Sequence, residues 1–294
     1  MIYSIIRVWG FPVLFFGTAL IFHHFHFHAL AFYGIIGASL LLAAVLERLL
    51  PYERSWNQTR QDTLIDVLHF LLTTAVTTAT KTLSVLAVGW LAGAFPVQHT
   101  LATVVQQVPF VFSVALAAVV SGFLPYWVHR FSHEKDGLLW RLHSVHHSPE
   151  RLYWLNATRF HPFNAVWNAF LSLFPLHLLG FSEPVLLMTG LLNNLVGLYN
   201  HANIDFRLGW MNRLFNMNEL HRWHHAKDVE TANHNYSAGC LVVWDLVFGT
   251  WHLPERRMQE NEVGLADAEG YPTRSFTGQL CYPVCSLNPP QAKP

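Results

Sequence analysis

The stretch that decides the fold is VQQVPFVFSVALAAVVSGFLPYWVHRFSH, residues 105–133. Its apolar part, Val105 to Val128, is long enough to cross a bilayer core, which takes roughly 20 helical residues. His129 and His133 follow directly, and residues four apart share one face of a helix. The stretch therefore predicts a membrane helix that ends in a pair of imidazoles.

The composition also argues for a membrane protein. Of 294 residues, 52% are hydrophobic and only 12% are charged, about half the charged fraction usual in soluble proteins. Lysine plus arginine and aspartate plus glutamate both number 18, so nothing indicates a nucleic-acid or strongly anionic partner. Histidine, with 19 copies, outnumbers either charge class.

Further apolar stretches run over Phe11–Phe22, Ala29–Leu50, Leu64–Phe95 and Phe163–Tyr199. Leu64–Phe95 is over-long for one span and contains Lys81, so it is either a long tilted helix or a span with an interfacial extension. The stretch from Phe163 is interrupted at Gly180 to Pro184, which predicts a helical hairpin. The fold class predicted is all-α: a membrane bundle of about four spans plus a membrane-embedded hairpin.

The loops predict the orientation of this bundle. The first long loop contains Arg48, Arg54 and Arg60, whereas residues 96–107 carry no charge, so the arginine-bearing loop is expected on the cytoplasmic side. Counting spans from there delivers His129 and His201 to the same face. The histidine-rich helices are therefore expected to form a cytoplasmic cap.

The histidines of this cap form boxes with helical spacing. In order they are His129-Arg-Phe-Ser-His133, His143-Ser-Val-His146-His147, Arg159-Phe-His161, Asn200-His201 and His221-Arg-Trp-His224-His225. Chance would give about 0.08 matches to HxxHH in a chain of this composition, and two occur. Imidazole is the commonest metal ligand, so the boxes predict a metal site.

The number of boxes predicts two ions rather than one. A single four-coordinate ion cannot use the nine candidate ligands, which are His129, His133, His143, His146, His147, His201, His221, His224 and His225. His161 is a candidate tenth ligand, with a structural role as the alternative. Asp228, Asn203 and Asn235 lie near the boxes and could accept imidazole N–H groups, although a helix cap or turn fits them equally well.

The pattern restricts the chemistry less sharply. Imidazole suits zinc, copper, iron and nickel alike. Neither triplet is HExxH, so the glutamate that acts as general base in helix-borne zinc peptidases is missing. A site beside acyl chains faces C–H bonds, whose oxidation needs a redox metal and dioxygen.

At these residues the chain resembles the fatty acid hydroxylase / sterol desaturase superfamily of membrane di-iron enzymes, over roughly Val105 to Leu253. The matching segments are Tyr126–His133, His143–Ser148, Ala157–Pro162, Asn200–Ile204, Glu219–His225, Asn235-Tyr236 and Trp244–Thr250. Two positions depart from the family pattern: Gly122 stands where an acidic residue is common, and Ser237 stands where glycine is common. The resemblance implies two iron ions that use dioxygen and external electrons to hydroxylate or desaturate a lipid.

The apolar stretches and the composition also predict an organisation, and the resemblance implies partners. Residues 1–104 are expected to form N-terminal transmembrane helices, residues 105–255 the catalytic region, and residues 256–294 a loosely ordered polar tail. The substrate is expected to be a sterol, fatty acyl or related lipid. With no fused haem domain in sight, electrons are expected from a separate ferredoxin, rubredoxin or cytochrome b5 type protein.

Two other functions fit parts of the pattern. A zinc-dependent membrane hydrolase or isomerase would use similar ligands, and zinc could also replace iron in the same site. A haem-binding electron carrier also places histidines on membrane helices, but one axial histidine per haem face leaves the HxxHH triplets unexplained.

Overall fold

The computed structural model describes residues 2–94, 97–135 and 137–285. Within these ranges the protein is all-helical, and its few β-bridges are isolated. The helices are α1 (Ile2–His24), α2 (Ala29–Leu49), α3 (Thr63–Ala94), α4 (Val97–Gln106), α5 (Phe110–Glu134), α6 (Leu138–His147), α7 (Pro162–Leu178), α8 (Glu183–His201), α9 (Asn218–His224), α10 (Val229–Ala232), α11 (Val243–Val247) and α12 (Phe276–Cys285). Short 3-10 turns at Arg54–Asn57, Trp154–Thr158 and Gly209–Arg213 connect them.

Four helices are long and apolar enough to cross a membrane: α1, α2, α5 and the Thr63–Leu91 part of α3. Much of their apolar surface faces outward, with Leu30, Leu41 and Trp90 all more than 70% exposed. Such a continuous apolar surface belongs against lipid rather than water. The protein is therefore an integral membrane protein, and the predicted all-α fold class is confirmed.

The first span is longer than its apolar stretch predicts. Helix α1 begins at Ile2, although the apolar run starts only at Phe11. Arg7 is accommodated because its Nε lies 3.1 Å from an Asp205 carboxylate oxygen in the cap. The start of α1 therefore lies beside the cap, and its other end leads through a tight turn into α2.

The stretch quoted at the outset is divided between two helices. Helix α4 ends at Gln106, and α5 begins at Phe110 after Pro109, whose missing N–H suits a helix start. Helix α5 then runs without interruption to Glu134, so its last two turns carry His129 and His133. The membrane span and the first histidine box are one rigid element.

The predicted hairpin is present as α7 and α8, joined by a turn at Gly180. Gly180 has a φ of +75°, and a Cβ there would lie 2.4 Å from the Cβ of Ala102. Only glycine fits this position, because both the backbone conformation and the close approach exclude a side chain. The turn returns α8 toward the cap, where His201 ends the helix.

Helix α8 is the centre of the apolar core. It packs against α1, α2, α5 and α9. Its buried residues Leu191, Leu195 and Tyr199 join phenylalanines of α1, including Phe11 and Phe22, in one cluster. This packing fixes the height at which α8 delivers His201 to the cap.

The chain after residue 255 differs from the predicted loose tail. Met258, Val263 and Leu265 are buried in the cap, and α12 packs on α3 and α6. Gln279 of α12 is fully buried and hydrogen bonds to His69 of α3 at 3.0 Å. The polar composition was misleading because these residues satisfy polar groups of the cap. Residues 286–294 lie outside the described part.

Candidate metal centre

The structure brings nine of the ten candidate ligands together in two adjacent groups. All nine are at most 9% exposed. Within each group, one nitrogen from every imidazole lies within 4.8 Å of all the others. Group 1 consists of His129, His133, His143, His147 and His224. Group 2 consists of His146, His201, His221 and His225.

Each HxxHH triplet is shared between the two groups. In the first triplet, His143 and His147 belong to group 1 and His146 to group 2. The second triplet reverses this, since His221 and His225 belong to group 2 and His224 to group 1. On a helix, the first and fifth residues of HxxHH lie about 40° apart around the helix axis. The fourth residue lies on the opposite side of the first. Each triplet therefore bridges the two groups.

The groups touch each other. The rings of His147 and His225, one from each group, stack with centroids 4.4 Å apart. His129 and His224, from different helices but the same group, have centroids 4.5 Å apart. The two triplets thus converge on one place beside the membrane, as the sequence predicted.

The hydrogen bonds to the outer ring nitrogens determine which nitrogen faces inward. The Nδ1 atoms of His129, His146, His201 and His224 lie 2.7 to 3.3 Å from the backbone carbonyls of Tyr236, Arg159, Gly197 and His234. A carbonyl only accepts, so each Nδ1 must carry the hydrogen. The Nε2 atoms of these neutral rings consequently present lone pairs to the interior of the groups.

This arrangement places lone pairs against each other. The Nε2 atoms of His146 and His201 are 3.1 Å apart, although neither carries a hydrogen when both Nδ1 atoms donate outward. The buried Nε2 atoms of His129, His133 and His224 have no partner in the described part of the chain. A cation between such nitrogens would relieve the repulsion and satisfy the unpaired acceptors.

A proton is a poor candidate for that cation. Burial, followed by the charges of neighbouring imidazoles, holds the pKa of His146 and His225 well below the ordinary value. Burial has the same effect on the pKa of His143, His147, His221 and His224. The rings are therefore neutral at physiological pH, which is the form that binds metals.

The spacing also fits metal ions. Imidazole nitrogens bind such ions at about 2.0 to 2.1 Å, which places neighbouring ligand atoms about 3 Å apart. The Nε2 pairs His221–His201, His225–His221 and His147–His143 are 2.9 to 3.1 Å apart. Among the described residues neither group includes a carboxylate or thiolate. The potential donors in both groups are thus all imidazole nitrogens.

Asp245 supports group 1 and was not identified from the sequence. Its carboxylate is fully buried and accepts hydrogen bonds from the backbone N–H groups of Tyr236 and Ser237 and from the Thr250 hydroxyl, at 2.7 to 3.0 Å. It thereby fixes the loop whose Tyr236 carbonyl orients His129. The segment Trp244–Thr250 carried the signal, because an aspartate inside an otherwise apolar segment needs buried donors.

A buried ion pair supports group 2 and was also missed. Asp66 of α3 binds Arg159, and both side chains are at most 1% exposed. The Tyr153 hydroxyl donates to the same carboxylate at 2.6 Å. These contacts hold the loop whose Arg159 carbonyl orients His146. An acidic residue in an apolar span is expensive without a partner, so Asp66 was the available signal.

His161, the candidate tenth ligand with a structural role as the alternative, lies outside both groups. It precedes Pro162 and caps α7, accepting from the backbone N–H of Phe163 at 3.3 Å through Nδ1. Its Nε2 lies 3.1 Å from the Leu280 carbonyl of α12. Both ring nitrogens are therefore engaged in structural contacts.

The three predicted hydrogen-bond partners of the ligands have other roles. Asp228 caps α10 through the backbone N–H of Thr231. The Asn203 side chain binds the backbone of Glu53, and Asn235, with a φ of +58°, binds the backbone of His252. Among the described residues none of the three accepts from one of the nine imidazoles. Asn164 does, 2.8 Å from Nδ1 of His143.

A cavity of about 180 Å³ opens onto both groups. It lies between α5, α7 and α8, and its apolar walls are formed by Pro125, Phe160 and Trp167. Its polar wall residues other than histidine are Ser132, Asn164, Asn168, Ser172, Asn200, Asn216 and Ser237. Both groups of histidines therefore face a cavity between these three helices.

Fold and site together define an integral membrane protein with two buried groups of histidines that could hold metal ions, beside a cavity between α5, α7 and α8. The family model for fatty acid hydroxylases matches residues 114–250. The ornithine lipid hydroxylase OlsE of Rhizobium tropici is 35% identical over 87% of this chain and 76% of its own length. The chain belongs to the fatty acid hydroxylase family, and it is a membrane oxidoreductase acting on lipid C–H bonds.

More distant relatives agree with this class. The alkylglycerol monooxygenases of Danio rerio and Homo sapiens are 33% and 30% identical over 43% and 45% of this chain. The match covers only 27% and 29% of their own lengths. No solved structure matches the chain.

Proposed function

We propose that this protein hydroxylates a lipid of the ornithine lipid type, at a carbon in the polar part of the molecule, with two iron ions held by the nine histidines. The observation that carries the proposal is the cavity beside the two groups, whose wall contains buried oxygens that lack a donor. The near full-length similarity to an ornithine lipid hydroxylase supports the substrate class.

The ligand assignment follows from the geometry of the two groups. Group 1 would hold one ion with five imidazoles, and group 2 would hold the other with four. When bound, the iron pair supplies the activation of dioxygen that C–H oxidation requires. The outward hydrogen bonds of Nδ1 in His129, His146, His201 and His224 would keep the Nε2 lone pairs of these four rings directed at the ions before they arrive.

The polar wall selects the part of the lipid that reaches the ions. The buried side-chain oxygens of Asn200, Asn216 and Ser237 line the cavity and have no hydrogen-bond partner in the described part of the chain. A plain hydrocarbon segment would leave all three unsatisfied, which costs free energy. An amide or amine, as in a lipid built on an amino acid, supplies the N–H donors they lack.

The apolar wall excludes water from the reaction. Phe160 stacks on the ring of His146, with centroids 4.3 Å apart, and covers group 2. Holding the substrate by its polar groups fixes which carbon lies near the ions, and this positioning decides between hydroxylation and desaturation. When the substrate is held so that a single carbon lies near the ions, hydroxylation of that carbon is favoured over desaturation.

The proposed orientation and partner follow from the same geometry. The arginine-bearing loop before α3 lies on the cap side, where Asn57 hydrogen bonds to the Glu47 carbonyl and to Asn203. By the bias for positive charge inside, the cap and its histidines face the cytoplasm. Electrons would come there from a separate ferredoxin, rubredoxin or cytochrome b5 type protein.

The test is an assay with purified, iron-loaded protein in lipid nanodiscs. Ornithine lipid, an ether lipid and a plain fatty acyl lipid are each incubated with dioxygen and an electron-transfer system. We expect the ornithine lipid alone to gain one oxygen, as measured by mass spectrometry, with fragments locating it in the polar part. Oxygen in an acyl chain, or turnover of the ether lipid alone, would contradict the proposal.

A metal analysis separates the zinc alternative. Protein produced with iron and zinc both supplied is assayed for metal content and for oxygen consumption with lipid present. We expect two iron ions per chain and lipid-dependent oxygen uptake. Conversion of the lipid by zinc-loaded protein without oxygen uptake would instead support a hydrolase or isomerase.

A further inference from the structure

A second cavity, of about 380 Å³, lies in the cap at the point where α3 enters the membrane. Its walls come from residues 59–62 before α3, residues 148–150 after α6, Arg159, and residues 273–274 before α12. The candidate span begins at Thr63, immediately after this wall. The cavity therefore lies at the depth of the lipid headgroups.

Three arginines and two carboxylates line this cavity, which gives its wall a small excess of positive charge. Arg60, Arg159 and Arg274 line it, and Arg274 has no hydrogen bond or ion pair in the described part of the chain. Of the two carboxylates in the wall, Asp62 is engaged at both oxygens by Arg151, at 2.7 and 2.8 Å. The Glu150 side chain is 54% exposed. Its carboxylate oxygen lies 3.7 Å from Nη1 of Arg60, which is longer than a hydrogen bond.

The cavity also has a buried donor without an acceptor. Arg159 is 1% exposed, and although it binds Asp66 through Nη1, its buried Nε has no partner in the described part of the chain. A buried guanidinium N–H left unpaired is unfavourable, so the site favours a ligand that accepts. The hydroxyls of Thr59 and Thr273 on the same wall can add further donors.

We propose that this cavity binds a phosphate-type oxyanion, supplied by the headgroup of an anionic phospholipid. Arginines form charge-assisted and often bidentate hydrogen bonds with phosphate, and basic pockets at the interface recognise lipid headgroups in this way. The site is separate from the cavity beside the histidines.

The position of the oxyanion site connects it to the metal centre. The Arg159 carbonyl orients His146, and Ser148 directly follows His147. An oxyanion in the cavity contacts the segment that follows the first HxxHH triplet and the loop that orients its middle histidine. Occupancy is therefore expected to stabilise the metal-loaded protein without supplying a ligand.

The experiment compares Arg274→Gln with Arg54→Gln, using the metal-loaded protein. Both arginines are exposed and unpaired in the described part of the chain, but only Arg274 lines the cavity. One arm titrates inorganic phosphate in neutral detergent at constant ionic strength and follows the unfolding temperature. The other arm uses nanodiscs of phosphatidylcholine with or without phosphatidylglycerol and follows binding of a headgroup-labelled phosphatidylglycerol. Metal content is measured for each variant to show that the fold is retained.

We expect wild type and Arg54→Gln to bind in both arms, and Arg274→Gln to bind about tenfold more weakly, the loss of one charge-assisted hydrogen bond. If the protein bound free phosphate but did not bind phosphatidylglycerol, the cavity would still be an oxyanion site. Its ligand would then be a soluble anion and not a lipid headgroup. Equal binding by all three proteins would overturn the proposal. The proposal would also be overturned if an acidic electron-donor protein bound without phosphate and Arg274→Gln abolished that binding. The cavity would then be a protein interface.

Discussion

At the scale of single residues, the candidate metal centre is defined by imidazole nitrogens that cannot carry a hydrogen. The Nδ1 atoms of His146 and His201 both donate to backbone carbonyls, so their Nε2 lone pairs face each other 3.1 Å apart. Burial keeps the pKa of His146 too low for a proton to relieve the repulsion. The facing lone pairs thus indicate a site that a bound metal ion would stabilise.

Replacement of His224 by alanine should therefore remove metal, whereas replacement of His161 should not. His224 belongs to group 1, while His161 caps α7 and binds the Leu280 carbonyl. We expect His224→Ala to lose at least one of two ions, and His161→Ala to keep both with about 1 kcal/mol less stability from the lost cap. Metal analysis of the purified variants measures this. Loss of an ion from His161→Ala would contradict the ligand assignment.

The residue patterns allowed most of the ligand set to be predicted, but not its division. Helical spacing identified His143, His146 and His147 as one face. Their separation into two groups depends on how α6 and α9 pack, which spacing along one helix does not contain. For His161 the sequence left a ligand and a structural role open, and its position before Pro162, which favours a helix start, was the available signal for the helix cap seen in the structure.

At the scale of elements, α3 connects the membrane to the loop that orients His146. Its Asp66 is fully buried against Arg159 and Tyr153, although α3 is a membrane span. Neither contact was predictable from periodicity, because the partners lie about 90 residues away in sequence. The same holds for the chain after residue 255, whose polar side chains find partners only in the folded cap.

Replacement of Asp66 by asparagine should destabilise the protein strongly. It leaves the buried Arg159 charge uncompensated, which costs about 3 to 5 kcal/mol. Glu262→Gln is the matched control, since Glu262 pairs with Arg256 at the surface and such pairs contribute about 1 kcal/mol or less. Unfolding in detergent measures both. A similar, small effect of the two substitutions would show that the Asp66 pair does not hold the loop.

The α7–α8 hairpin should depend on Gly180. Gly180→Ala introduces a Cβ at a φ of +75° and 2.4 Å from Ala102 Cβ, so we expect a loss of more than about 1 kcal/mol in stability. Gly190 lies inside α8, and a Cβ added there would meet nothing within 4 Å, so Gly190→Ala should be neutral or stabilising by about 0.5 to 1 kcal/mol. Thermal unfolding of the two variants compares them, and equal destabilisation would argue against the strained turn.

At the scale of the whole molecule, the arrangement of the spans and the cap determines the side from which each reaction partner would approach. Helices α1 and α2 are antiparallel, with Arg7 beside the cap and the turn at residues 25–28 at the other end. Helix α2 has 21 residues and so spans about 30 Å, the thickness of the bilayer core. Under the proposed function, the lipid would enter from the membrane and electrons would reach the cap from water.

The orientation of the cap is tested with two single-cysteine variants in a background where Cys281 and Cys285 are serine. Gln58→Cys lies on the exposed cap loop, and His26→Cys lies in the exposed turn at the opposite end of α2. Because the arginine-rich loop is expected in the cytoplasm, a membrane-impermeant maleimide should label His26→Cys in intact cells and Gln58→Cys only after permeabilisation. The buried Cys240 should not react in either case. The reverse labelling would place the histidines outside and would exclude a cytoplasmic electron donor.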